Sequence, residues 1–245
     1  MEKTEIYDSL NKTYFSEDCD ERRTLDALPP LLRNAKRFVD IGASLGQYTR
    51  YCNKHLNGAK MWAIEADPVR YEELARNCAQ WQGESSNTID VIHGAVSDQV
   101  GEIVFYTSNS TVSGGLFQHA VKSGDVEWQE VRVPACTLDS LFSNEPPDFI
   151  KIDVEGVELR VLKGSVEILK KKKTFLLVEV HSWADPQGQK NPREVLDFMK
   201  SHGYYALPFH GKYLFMPMSA EYLRRRWRSL FNKAKQRLLP RRKAS

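Results

Sequence analysis

The sequence predicts an α/β protein with a mostly parallel sheet and helices on both faces. Three observations carry that prediction. First, between Phe38 and Gly46 an apolar run containing Asp40 ends at Ile41 and passes through Gly42 to Gly46. Tyr48, Tyr51, Cys52, His55 and Leu56 then recur at helical spacing, giving the strand, tight turn and helix of a nucleotide-binding crossover. Second, short apolar runs alternate with helical periodicities along most of the 245 residues. Third, the acids Glu65 and Asp153 close strands whose carboxyl ends would share one rim, where ligands of such sheets bind.

A chain of this length fits one α/β domain with additions and can bury a substantial core. No apolar run approaches the ~20 residues of a membrane span. The opening is charged and has no apolar h-region, which predicts a chain that is not exported. The four cysteines include no C-x-x-C pair, so reduced core thiols and a cytoplasmic location are expected rather than zinc or disulfides. Net charge is +3, but unevenly placed: from Glu221 onward there are ten Lys/Arg and one acid. The preceding body is therefore mildly acidic and the end strongly basic.

Residues 24–32 read as a helix interrupted by Pro29 and Pro30, within an N-terminal helical segment, 1–36. In the opening turn, Gly42 lets the backbone take φ > 0 and Gly46 permits close approach. The pattern is D-x-G-x-x-x-G, without the middle glycine of a dinucleotide fingerprint. It suits a bulkier, phosphate-free nucleoside, with Asp40 available to a cationic group. Lys60–Glu65 is the second strand, and Glu65 stands where a carboxylate accepts hydrogen bonds from ribose hydroxyls. Asp67 is the N-cap of the next helix and Pro68 its first residue, so capping is already covered.

Thr88–His93 is a third strand and 94–98 the loop after it, and Asp90, Ala95 or Ser97 could contact a base edge. His93 is expected to be a satisfied core histidine. Residues 102–106 and 128–133 read as further strands. The polar, glycine-rich stretch between them is either a solvent loop or a substrate loop carrying Ser113. Thr137 caps a short helix. Pro146 and Pro147 precede the strand Phe149–Ile152 and form a turn.

After that strand, Asp153, Glu155 and Glu158 place three carboxylates within six residues. Like charges so close need a cation, a donor or a raised pKa. A solvated acidic helix start is the alternative. Asp153 is the first choice for general base or metal ligand, and Glu155 and Glu158 for substrate, a divalent cation or a cofactor ammonium. One helix is expected through Leu162, Gly164 and Leu169 to the lysines at 170–173. Residues 174–181 form the next strand, ending with Glu179 and His181 on one face by period two. That pair could join the active site as base or ligand, or form an interior ion pair. Asn191–Ser201 is a helix, and a hairpin follows around residues 209–212.

These residues resemble the FkbM-type methyltransferases, within the Rossmann-like S-adenosylmethionine-dependent enzymes. The resemblance runs from about Phe38 to Met216. It rests on the Val39-Asp40-Ile41-Gly42-x3-Gly46 turn, on Glu65, on Ile150-Lys151-Ile152-Asp153-x-Glu155-Gly156-x-Glu158 through Lys163-Gly164, and on Val178-Glu179-Val180-His181. It implies a class I sheet of seven strands with a terminal antiparallel hairpin, S-adenosylmethionine as methyl donor, and a hydroxyl acceptor on a sugar, glycolipid or polyketide. The expected cofactor residues are Asp40, Gly42, Ala43, Gly46, Glu65, Ala66, Ala95, Val96 and Asp153. The expected catalytic residues are Asp153, Glu179 and His181.

The methyltransferase domain is expected over 37–218, with a basic amphipathic helix and tail over 219–245. In 221–239, Leu223, Trp227, Leu230, Phe231, Ala234 and Leu238 share one helical face, with arginines and lysines opposite. Such a helix packs on its own domain or lies on a membrane surface; nucleic acid is the less favoured partner. The competing functions are an NAD-dependent oxidoreductase, disfavoured by the missing glycine, and a non-catalytic module tethered by its basic end. Acceptor and oligomeric state are not encoded legibly.

Overall fold

The computed structural model describes residues 20–108, 128–181 and 191–218. Two helices open this part, α1 (Asp20–Ala27) and α2 (Pro29–Leu32). The sheet then begins: β1 (Arg37–Ile41), α3 (Gln47–His55), β2 (Lys60–Glu65), α4 (Pro68–Trp81) and β3 (Thr88–His93). After β4 (Ala95–Val96), β5 (Gly101–Ser108), β6 (Trp128–Cys136) and α5 (Leu138–Phe142), the chain returns through β7 (Phe149–Ile152). It ends in α6 (Glu158–Lys163), α7 (Val166–Lys170), β8 (Phe175–Val178), α8 (Asn191–Ser201), β9 (Tyr204–Phe209) and β10 (Lys212–Pro217).

Seven strands form one sheet in the order β3-β2-β1-β7-β8-β10-β9. The first five pair in parallel, and β10 runs antiparallel to both β8 and β9. The expected α/β class, mostly parallel sheet and terminal hairpin are all present. Strand order reverses between β1 and β7, the place where such sheets open a crevice.

Period two divides the buried residues of the central strands between two cores. Val39, Ile41, Ile150, Ile152, Leu176 and Val178 face α5 to α8. Phe38, Phe149 and Leu177 face the other way, against Leu25, Leu28 and Leu32 of α1–α2 and Tyr48 and Cys52 of α3. The segment before β1 thus helps build the main core. The same alternation puts Asp40 and Lys151, paired in register, on the α1–α3 face.

Four local outcomes differ from the expectations. Residues 95–96 are a short strand rather than loop, because β4 joins a second sheet, β4-β6-β5. His55 is exposed and stacks on Tyr51, whereas Thr49 and Asn53 of α3 are buried. The single helix expected after Asp153 is two, since Gly164 and Ser165 end α6 before α7 begins. The period-two argument also fails beyond Val178, where β8 ends. The solvent or substrate loop carrying Ser113, and the basic stretch 219–245, lie outside the described residues. Among the described residues no helix is long and apolar enough to cross a membrane.

Candidate active site

The turn after β1 is held by two glycines in the left-handed region, Gly42 at φ 67° and Gly46 at φ 91°. A Cβ on Gly42 would lie 1.8 Å from the Asp153 carbonyl oxygen, so the ends of β1 and β7 touch there and only glycine fits. A Cβ on Gly46 would meet Leu74 and Trp81 of α4 at 2.9 Å. Gly46 therefore sets the packing of α3 on α4 and precedes the first turn of α3.

Beside this turn opens a cavity that is continuous with solvent. One wall is the end of β2. Glu65 Oε2 accepts the Ser44 N–H at 2.7 Å, and Oε1 accepts the Asp67 N–H at 2.9 Å. An ionised carboxylate has about four acceptor positions, so these bonds orient Glu65 and leave capacity toward the cavity. Burial raises its pKa, and the two N–H groups and Arg70 oppose that rise. Asp67 is separately occupied: Oδ1 caps α4 through Val69 and Arg70 N–H, and Oδ2 accepts the Thr107 hydroxyl at 2.6 Å. The N-cap role expected of Asp67 is the one found.

Ala66, Ala95, Val96 and Phe105 make an apolar side of the cavity, and Asp153, Val154, Glu155 and Val157 form the end toward β7. At that end the acids meet a histidine. His181 Nδ1 lies 2.8 Å from Glu158 Oε1, while Nε2 lies 3.5 Å from Glu155 Oε2 and 3.9 Å from Asp153 Oδ1. Burial pushes His181 down, but the Glu158 bond and the carboxylates of Glu158, Glu155 and Asp153 outweigh it and hold its pKa up at about 9. The imidazole is thus the cation that three neighbouring acids require.

Lys151 supplies the other positive charge. Its Nζ donates to the Gly42 carbonyl at 3.1 Å and lies 3.5 Å from Asp40 Oδ1 and from Asp153 Oδ2. Burial lowers its pKa, yet Asp153 and Asp40 together raise it. This ammonium pins the β1 turn to the β7 end from below.

Of the residues expected at the site, Gly42, Glu65, Ala66, Ala95, Val96, Asp153 and Glu155 line the cavity. Glu158 and His181 stand just behind Asp153 and Glu155. Six others lie elsewhere. Asp40 is fully buried, its Oδ2 accepting both the N–H and the hydroxyl of Thr49, so it meets a protein cation rather than a ligand's. Ala43 is buried against α4, and Gly46 shapes the helix start. Glu179 is separated from His181 and bonds Lys212 at 2.6 Å, and Lys212 also bonds Glu21 of α1 at 2.7 Å. Asp90 pairs with Lys60 on the surface, Ser97 is buried, and neither lines the cavity. His93 stacks on Tyr71 and bonds the Ala66 carbonyl, as a satisfied histidine should.

Sequence reasoning missed Ser44, Arg70, Phe105 and Lys151. Arg70 Nη1 donates to Ser44 Oγ at 2.9 Å, and both line the cavity. Period two from Phe149 could have found Lys151, since it falls in the same row as Asp40. No local signal marks Phe105, which depends on where the second sheet docks.

The chain is similar in sequence to known methyltransferases. The chain is 28% identical over 178 residues to a hexuronic acid methyltransferase, AglP, of Haloferax volcanii, covering 69% of this chain and 66% of that one. It is 25% identical over 183 residues to methyltransferase sdnD of Sordaria araneosa, covering 63% of this chain and 67% of the relative. It therefore spans about two thirds of the length of these relatives. A crystal structure of a methyltransferase FkbM from Methylobacillus flagellatus KT superposes with a TM-score of 0.49 at 14% identity, over 84% of this chain and 56% of that one. The model of the methyltransferase FkbM domain matches residues 40–205, the span that holds the turn, Glu65 and the Asp153–His181 end of the cavity, and the chain belongs to that family.

Proposed function

We propose that the protein transfers a methyl group from S-adenosylmethionine to a hydroxyl of a carbohydrate acceptor. The observation that carries this reading is Glu65, a buried carboxylate oriented by two backbone N–H groups at the wall of a cavity. Its remaining acceptor positions suit ribose hydroxyls. The apolar side formed by Ala66, Ala95, Val96 and Phe105 suits an adenine, and the Gly42 turn suits the amino-acid end. The sulfonium would supply the electrophilic methyl group. The chain's own contribution is positioning, which can account for several kcal/mol of a transfer barrier.

The acceptor hydroxyl would dock against the Asp153, Glu155 and His181 end. Asp153 or Glu155 would take its proton, while Glu158 keeps the imidazole oriented. A sugar acceptor is favoured because the AglP relative is named for a hexuronic acid. An oxidoreductase using a nicotinamide dinucleotide is disfavoured at one atom-level position. Ser44, at φ 51°, stands where a dinucleotide turn has glycine, and its N–H is engaged by Glu65.

The test is incubation of purified protein with methyl-labelled donor and a cell extract, followed by fractionation. Label is expected in the glycan or glycolipid fraction, and Asp153→Ala should reduce it by at least about a hundredfold, as loss of a general base does. Label confined to RNA or protein would exclude the carbohydrate reading. Undiminished labelling by Asp153→Ala would exclude the assigned proton acceptor.

A further inference from the structure

We propose that Asp153, Glu155 and His181 bind one divalent first-row cation at the β7–β8 end of the cavity. The ion's chemical role, holding the acceptor hydroxyl as a ligand while its proton passes to the unligated oxygen of Asp153 or Glu155, rests on the methyl-transfer reading. Its binding does not.

The donors come from two neighbouring strands. Asp153 and Glu155 follow β7, and His181 follows β8, whose last residue Val178 is in register with Ile152. A run of acids in one loop would be only a solvated helix start. Here the next strand adds an imidazole, and one donor atom from each of the three side chains lies within 4.8 Å of the others. The pair distances at His181 Nε2, 3.5 Å to Glu155 and 3.9 Å to Asp153, can be set against coordination geometry. Bonds of ~2.1 Å place adjacent ligands ~3.0 Å apart in an octahedron and ~3.4 Å apart in a tetrahedron. The two pairs at His181 Nε2 need to close by less than about 1 Å, and the Asp153–Glu155 pair, which lies within 4.8 Å, by up to about 1.8 Å. Their side chains are 17–26% exposed, which leaves them room to do so.

The surroundings orient these donors. Glu158 is 2% exposed and its Oε1 accepts the Gly156 N–H. The same oxygen pairs with His181 Nδ1, so Nε2 is turned toward Asp153 and Glu155. This is the carboxylate–histidine arrangement that fixes ring orientation in metal sites. Asp153 is likewise divided, with Oδ2 beside Lys151 and Oδ1 toward His181. The ion would displace the Nε2 proton of His181 and take over its place as the cation among the acids, and two carboxylates and one imidazole suit Mn²⁺ or Zn²⁺ better than a soft, thiolate-seeking ion.

The experiment is titration of the whole chain with Mn²⁺, followed by the electron paramagnetic resonance signal of the free ion, with S-adenosylhomocysteine binding measured on the same samples. One Mn²⁺ per chain is expected. Glu155→Gln and His181→Ala should each weaken it by at least about tenfold, and Glu158→Gln by about ten- to a hundredfold through the ring orientation. Glu72→Gln, an exposed helix acid, should leave it unchanged. Retained S-adenosylhomocysteine binding in Glu155→Gln would show that its site is intact. No Mn²⁺ uptake at millimolar ion, or uptake indifferent to Glu155→Gln and His181→Ala, would overturn the proposal. Mn²⁺ uptake without S-adenosylhomocysteine binding would uphold the metal site and remove the methyl-donor reading instead.

Discussion

Glu65 accepts a backbone N–H on each carboxylate oxygen while burial raises its pKa, and that conflict has a measurable consequence. Ribose recognition needs the ionised form, whose hydrogen bonds contribute about 1.5–3 kcal/mol. The groups around it are the Asp67 carboxylate, which raises its pKa, and the Arg70 guanidinium, which lowers it. Affinity for S-adenosylhomocysteine should therefore fall as pH drops through a pKa above the usual glutamate value. Glu65→Gln should bind about tenfold to a hundredfold more weakly at neutral pH, with that pH dependence flattened. Calorimetry across pH 4–8 (roughly the carboxylate-to-histidine range) checks this. The Asp40–Lys151 pair has a structural consequence instead. Both are buried, and among the described residues Asp40 Oδ1 has no hydrogen-bond partner, so Lys151 is its only close positive charge. Lys151→Met should cost about 3–5 kcal/mol in urea unfolding, and Asp40→Asn in the same chain should recover part of it. Glu65 was legible because its place after the second strand follows from spacing alone. The role of Asp40 was not, because its counter-ion comes from a strand more than a hundred residues away.

Among the elements, the junction between the two sheets shapes the apolar side of the cavity. Thr107 of β5 donates to the Asp67 carboxylate that caps α4, and Phe105, two residues earlier on the same strand, reaches the cavity. Thr107→Val leaves the Asp67 oxygen without that donor, in a buried place. A loss of about 1–3 kcal/mol in stability is expected by urea unfolding, with a weaker hold on S-adenosylhomocysteine because Phe105 moves with β5. The strands and α4 were legible from alternation, Asp67 and Pro68. The docking of β4-β6-β5 was not, because a two-residue strand has no periodicity to read. The break between α6 and α7 is a further case. Leu162 and Leu169 fit one helical face, but Ser165 turns its hydroxyl back to the Leu162 carbonyl and starts a new helix. The separation of Glu179 from His181 has the same origin, since pleated alternation holds only as long as the strand does. Glu179 instead joins Lys212 and Glu21, tying α1 to the hairpin.

At the scale of the molecule, topology brings the site together. Reversal of strand order between β1 and β7 leaves the Gly42 turn, Glu65 and Asp153 around one crevice, although they are far apart in sequence. The side of that crevice formed by the Gly42 turn, Glu65 and Asp153 was largely readable, because the turn, the acid that ends β2 and the acid after β7 each carry a local pattern. The side formed by Phe105 and the second sheet was not, because it depends on where that sheet docks. Membership of the FkbM family narrows the chemistry without naming the acceptor. The account therefore depends most on the cavity being the seat of a methyl donor. Calorimetric titration of the wild-type chain with S-adenosylhomocysteine tests that directly. Saturation at one molecule per chain, lost in Gly42→Arg, is the predicted result. No binding of S-adenosylhomocysteine, with saturable binding of a nicotinamide dinucleotide in the same cell, would contradict it.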